Sequence, residues 1–211
     1  MIRVRFTYAK TEDLRYTSNL DVHRVWERAL RRAGLPLAYS QGFNPQPRIN
    51  QACPLPLGIT SQCEILEAWL EEDLPLEDIA CALNPALPSG FKLLRTDPID
   101  LQAPRVQTLV ASSTYRALLL DPVDEAALRQ RAAELLAQPS LPMNRRGKDY
   151  DLRPLIETLS IESGADGRPA ILMRLSARES ATGRPEEVLK ALGLDPSLAR
   201  QERVELHLKE E

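Results

Sequence analysis

Residues 17–34 read Thr-Ser-Asn-Leu-Asp-Val-His-Arg-Val-Trp-Glu-Arg-Ala-Leu-Arg-Arg-Ala-Gly, "TSNLDVHRVWERALRRAG". The spacing predicts an amphipathic helix over 19–33. Leu20, Val22, Val25, Trp26, Ala29 and Leu30 form its apolar stripe. Ser18 or Asn19 can cap the start, Asp21 suits the positive end of the helix dipole, and Gly34 ends it. Arg24, Arg28, Arg31 and Arg32 fall on the flanks and the last turn. Upstream, Ile2, Val4, Phe6 and Tyr8 alternate with Arg3, Arg5 and Thr7. That pattern predicts a half-buried strand over 2–8 with a basic outer face.

Downstream, 49–55 and 63–70 read as a strand pair joined through "PLGIT". Pro75–Leu83 is a short helix, with proline in the first turn where its missing N–H costs nothing. Phe91–Arg95 begins another strand. The order is β-α-β-β-α-β. After a linker, "DPIDLQAPRVQ", a similar order recurs. Strands are expected at 115–120, 141–144 and 203–208, a hairpin at 155–163 and 170–176, and helices at 123–137 and 185–192. Two such halves predict an α+β chain of two tandem ferredoxin-like domains, 1–104 and 105–211. The duplication rests on element order; no residue-level repeat is visible.

Charge is unevenly placed. The 211 residues sum to −3, while residues 1–50 carry nine Lys/Arg against four Asp/Glu. The near-neutral total argues against indiscriminate nucleic-acid binding; the basic first segment suggests a bipolar molecule. Ordinary scatter of surface charge is the alternative. Three scattered cysteines and two histidines give neither a disulfide framework nor a zinc or iron–sulfur signature, so no cofactor is expected and the cysteines read as small buried hydrophobes. The start is charged from position 3, unlike a signal peptide, and no apolar run is long enough to span a membrane. The expected compartment is the cytoplasm.

Two segments carry candidate binding chemistry. In 39–48, "YSQGFNPQPR", Gly42 allows close backbone approach and Phe43 offers a face for stacking a base. Gln41, Asn44 and Gln46 supply amides, Arg48 a cation, and two prolines reduce the entropy lost on ordering. The plainer reading is a structural crossover with Phe43 plugging the core. In 144–154, "NRRGKDYDLRP", Arg145, Arg146, Lys148 and Arg153 surround Tyr150, a pattern suited to a nucleic-acid backbone or to local pairing with Asp149 and Asp151. Arg24, Arg28 and Arg31 could contact phosphates, or sit on a solvated face where Glu27 pairs with Arg31. No GxGxxG, P-loop, HExxH or GxSxG motif is present, and His23 reads as a surface residue, so no catalytic residue is assigned.

The stretch from Arg15 to Ile49, followed by "PLPLGI", resembles a bacterial family of uncharacterised radical-SAM-linked proteins. Members occur free-standing or fused C-terminal to a cobalamin-type radical SAM module. "KDYDLRPLI" and "GRPEEVLKALG" also fit, so the resemblance covers nearly the whole chain. It implies no established activity, but association with a radical SAM enzyme and with RNA or ribosome maturation. It also supports Arg145, Lys148, Asp151 and Arg153 as a second patch. Asn19 and Gln46 stand where the family pattern has histidine, which favours binding by shape and charge over acid–base catalysis.

These readings converge on a non-catalytic RNA-binding module, with tRNA or rRNA as ligand and a radical SAM protein as partner. The basic helix and the proline-stiffened loop are expected to meet in one cationic pocket. Two alternatives stand beside it. One is a docking subunit that uses apolar residues near Trp69; the other is an RNA-directed enzyme acting through groups such as Asp21 or Asn44.

Overall fold

The computed structural model describes residues 1–145, 147–164, 167–178 and 180–209. It is a mixed α+β protein of two compact units, Met1–Val110 and Ala111–Glu211.

The first unit runs β1 (Ile2–Lys10), α1 (Asn19–Arg32), β2 (Ile49–Gln51), β3 (Thr60–Leu70), α2 (Leu76–Leu83), β4 (Phe91–Ile99) and a single turn, α3 (Val106–Leu109). Strand β1 lies between β3 and β4, and β2 pairs with β3; all these pairs are antiparallel. The period-2 pattern sends Val4, Phe6 and Tyr8 into the core, where they meet Val22, Trp26, Ala29 and Leu30 of α1. Four aromatic rings organise that contact. Trp26 lies 4.7 Å from Tyr8 and 5.8 Å from both Phe6 and Phe91, centroid to centroid. The Ser18 hydroxyl caps α1 by accepting from the Asp21 N–H at 3.2 Å.

Three expectations for this unit are corrected. Leu20 is 71% exposed rather than part of the buried stripe. It lies in the first turn, roughly opposite Val22 when positions are wound at about 3.6 residues per turn. The outer face of β1 is not a basic surface, because Arg3 is 1% exposed. Alternation shows that a strand has two faces, and here residues 100–104 return over the second one through carbonyls bound to Arg3. The cysteines do not share one environment: Cys53 is buried, Cys63 half-buried and Cys81 exposed.

The second unit runs β5 (Val110–Leu119), α4 (Glu125–Ala137), β6 (Pro142–Arg145), β7 (Lys148–Asp151), β8 (Ile156–Ser163), β9 (Pro169–Arg178), β10 (Ala181–Thr182), α5 (Pro185–Ala191) and β11 (Ala199–Leu208). Strand β5 lies between β9 and β11, and β9 also pairs with β8 and β10. The Asp124 carboxylate caps α4 by accepting from Ala126 N–H at 2.9 Å and Ala127 N–H at 3.2 Å, so the helix starts two residues later than its composition suggests. The polar excursion after α4 is a hairpin, β6–β7, turned at Gly147 with φ +80°. Among the described residues no helix is long and apolar enough to cross a membrane, and no group of three or more His, Cys, Asp or Glu is placed to hold a metal ion.

Candidate nucleic-acid interface

The loop between α1 and β2 is stiff at its base and open at its tip. Arg48 N–H donates to Ala38 C=O at 2.8 Å, and Ser40 N–H donates to Gln46 C=O at 2.8 Å. The Ser40 hydroxyl accepts from Gln46 N–H at 3.0 Å. Ala38 N–H reaches Trp69 C=O at 2.7 Å and Trp69 N–H reaches Arg48 C=O at 3.1 Å, which ties the base to β3. Beyond these rungs residues 40–46 are all exposed. Gly42, at φ +139°, makes a bend that an L side chain rarely adopts. Phe43 follows it at 101% exposure, so it does not plug the core.

Beside the loop lies a cleft of about 480 Å³. Its walls come from the loop, the first residue of the chain, the end of β3 and the start of α3. The cations are Arg48 and Arg105; Glu71 is the acid; Gln41, Gln46 and Asn50 supply amides. No residue of α1 lines it. Both arginines are exposed, and no carboxylate among the described residues pairs with either.

A buried relay supports Arg48 directly and the backbone that leads into Arg105. Arg3 and Trp69 are register partners on neighbouring strands, and Arg48 flanks Trp69 on its other side. Each guanidinium carbon lies 4.8 Å from the Trp69 ring centroid. Such a contact is worth about 0.5–2 kcal/mol and fixes the plane of the cation. Arg3 is itself held by Glu67, donating to one carboxylate oxygen at 2.6 and 3.1 Å, while Arg5 donates to the other at 2.7 and 3.0 Å. The remaining donors of Arg3 bind the carbonyls of Ala103 at 2.6 Å and Pro104 at 2.7 Å, immediately before Arg105. One buried arginine therefore braces Arg48 through a ring and Arg105 through the backbone. Trp69 is only 6% exposed and offers no apolar docking surface.

The predicted cations of α1 share its solvent face. Arg24, Arg28 and Arg31, at i, i+4 and i+7, are all exposed opposite the buried stripe. Arg24 pairs with Asp21 at 3.2 Å and Arg31 with Glu27 at 2.8 Å. The Ser18 hydroxyl donates to Asp21 at 2.7 Å and, with Arg24, holds that carboxyl below its ordinary range. Arg31 alone reaches the loop, 5.8 Å from the Tyr39 ring centroid. The single cationic pocket formed by helix and loop is thus replaced by two neighbouring features: a basic helix face and a cleft with its own arginines.

The second patch is spent internally. Arg145 makes a two-pronged pair with Glu187, through Nε to Oε1 at 2.7 Å and Nη2 to Oε2, and donates to Thr182 C=O at 3.0 Å. Its guanidinium lies 4.7 Å from the Tyr150 ring centroid. The Glu187 bond is the main reason its pKa is raised further, and burial raises that of Tyr150. Arg153 binds the carbonyls of Leu136 at 3.0 Å and Ile156 at 3.2 Å. Asp151 accepts from Leu141 N–H at 2.7 Å and Arg153 N–H at 2.9 Å, which lowers its pKa. Lys148 is exposed, and Arg146 lies outside the described residues.

The cleft's remaining residues, Met1, Glu71 and Arg105, were not legible as a group. They are separated by tens of positions and only the β1–β3 register and the return of residues 100–104 bring them together. A family model described as "Uncharacterized protein conserved in bacteria (DUF2344)" matches residues 3–185, and the chain belongs to that family. The comparison with curated proteins gives no match. One similar solved structure is of a protein provisionally described as a glycine cleavage system transcriptional repressor. It has 10% identity and a TM-score of 0.27, over 100% of this chain and 98% of that one.

Proposed function

We propose that this member of the DUF2344 family is a non-catalytic module that binds RNA through its first unit. The observation that carries the reading is Phe43, fully exposed at the tip of a loop whose base is fixed by backbone hydrogen bonds. Leaving a phenylalanine in water forgoes about 1.5–3 kcal/mol of burial. Presentation on a fixed base gives it a use: a base stacking on such a ring gains about 1–3 kcal/mol.

The surrounding charge supports the same ligand. Arg24 to Arg31 spans seven positions, about 10 Å of helix at 1.5 Å per residue, and forms a backbone-tracking surface. Its ion pairs are exposed at Asp21–Arg24 and half-exposed at Glu27–Arg31, worth only about 0–1 kcal/mol each, so a phosphate exchanges with either carboxylate at small cost. Among the described residues of the second unit, Lys148 is the predicted cation left exposed and without a partner.

The strand orders β4-β1-β3-β2 and β11-β5-β9-β8, each with its two helices, support a ferredoxin-like reading of each unit. The resemblance to radical-SAM-linked proteins supplies the partner class, an enzyme of RNA or ribosome maturation to which this module would present its RNA.

Fluorescence anisotropy with labelled bulk tRNA at two salt concentrations tests the reading. Affinity should fall steeply between about 50 and 200 mM salt, as expected when several phosphates are neutralised. Absence of binding at the lower salt would remove it. Nuclease-resistant co-purification with a radical SAM protein, together with that absence, would establish a docking subunit instead.

A further inference from the structure

We infer that the cleft beside the Phe43 loop is a subsite for one unstacked nucleotide, so that the RNA recognised is an unpaired segment or end rather than a duplex. This rests on the RNA-binding reading above and adds the class of RNA.

Three features of the cleft point this way. The first is size and shape. About 480 Å³ lies within the range of roughly 300–1,000 Å³ typical of small-molecule sites. A concave site of that scale takes a splayed-out base and its phosphate; a stacked, paired base has no route into it.

The second is charge. Among the side chains Arg48 and Arg105 stand against Glu71 alone, a formal side-chain balance of +1 that suits one phosphodiester. The Arg48 guanidinium lies over Trp69, which occupies its flat face and leaves the N–H edge for in-plane, two-pronged contact with phosphate oxygens. Its Nη1 makes a weak approach to the Met1 sulfur at 3.7 Å. Before any ligand arrives, the Trp69 ring holds the Arg48 guanidinium, and the Arg3 bonds to Ala103 and Pro104 hold the backbone that carries Arg105.

The third is the remaining wall chemistry. Gln46 and Asn50 offer both donors and acceptors, and the Glu71 carboxylate accepts only. Base edges are mixed donor–acceptor surfaces, and in a duplex those edges are consumed by pairing. Glu71 repels phosphate, so the phosphate belongs between the arginines and the base edge towards Glu71. Tyr39, 39% exposed, gives the base an aromatic neighbour inside the cleft, while Phe43 at the tip takes the adjoining base.

The test compares two labelled RNAs with the whole protein at one salt concentration: a short unstructured single strand and the duplex formed from it. The wild type should bind the single strand about tenfold more tightly, the size expected of one lost stacking and edge contact. Arg105→Gln should abolish most of that preference, weakening the single strand far more than the duplex. Its thermal midpoint should be unchanged, because the side chain is exposed. Millimolar nucleoside monophosphate should compete for the single strand in the wild type and not in Arg105→Gln. Equal or tighter duplex binding, or an Arg105→Gln effect the same on both RNAs, overturns the subsite while RNA binding stands. If neither RNA binds, the RNA-binding reading itself fails.

Discussion

The loop at 39–48 and the hairpin at 142–151 are built from similar ingredients. Each has a glycine with positive φ at its turn, aromatic and basic residues, and small amides. They spend them in opposite ways. In the hairpin Arg145 closes on Glu187, Thr182 and Tyr150, Asn144 donates to Asp149 at 2.7 Å, and Asp151 caps the backbone on both sides. In the loop the backbone satisfies itself across Ser40 and Gln46, and the side chains of residues 41–46 are left over. A basic, aromatic, glycine-turned segment is therefore ambiguous as a motif. What separates a brace from a binding element is whether an acidic partner from elsewhere in the chain reaches the cation.

The largest expected effect sharpens this difference from the structural side. Arg145→Met leaves Glu187, whose side chain is 9% exposed, without its partner, and should cost about 3 kcal/mol of stability in urea unfolding. Adding Glu187→Leu should restore much of that loss, since a half-removed ion pair is worse than an apolar one. RNA affinity of the folded variant should stay within twofold of wild type; a large affinity loss at full folding would erase the distinction between the two regions.

Phe43→Ala is the mirror experiment. The ring is fully exposed, so the unfolding midpoint should hold within about 0.5 kcal/mol. Affinity for single-stranded RNA in anisotropy should fall about tenfold, the loss of one stacked base. Unchanged affinity would make the loop an unused crossover.

Arg28→Ala probes the helix face with a smaller expected change. Affinity should weaken severalfold across sequences, and the slope of log K against log salt should fall by about 1. An unchanged slope would exclude α1 from the interface.

The smallest effect is a pH dependence confined to the hairpin. The folded pKa of Asp151 is lowered, chiefly by the Leu141 and Arg153 N–H groups. Its contribution is therefore present above the ordinary carboxylate range and lost as pH falls through the lower folded value. Asp151→Asn should flatten the acid side of the stability profile slightly, measured by thermal melts across pH, without altering RNA binding at neutral pH.

Much of the first unit could be read from residue order because its signals are local. Ser18, Asp21 and the spacing of Val22, Trp26, Ala29 and Leu30 specify α1 within two turns. The misreadings share one cause, long-range cover. Arg3 looks like an outward strand residue until Glu67 and the carbonyls of Ala103 and Pro104 close over it, 64 to 101 positions away. Arg145 looks free until Glu187, 42 positions on, takes it. The cleft was invisible for the same reason, whereas glycine, asparagine and proline together marked the loop and left open whether Phe43 turned inward or outward.

The two guanidiniums flanking Trp69 also make that indole an internal gauge. The chain holds two tryptophans, and Trp26 is sealed in the core at 0% exposure. An anion drawing Arg48 off the ring would change the field on one fluorophore and leave the other constant. Occupancy of the cleft can thus be followed by emission from the unlabelled protein, with Arg48→Ala as the silent control.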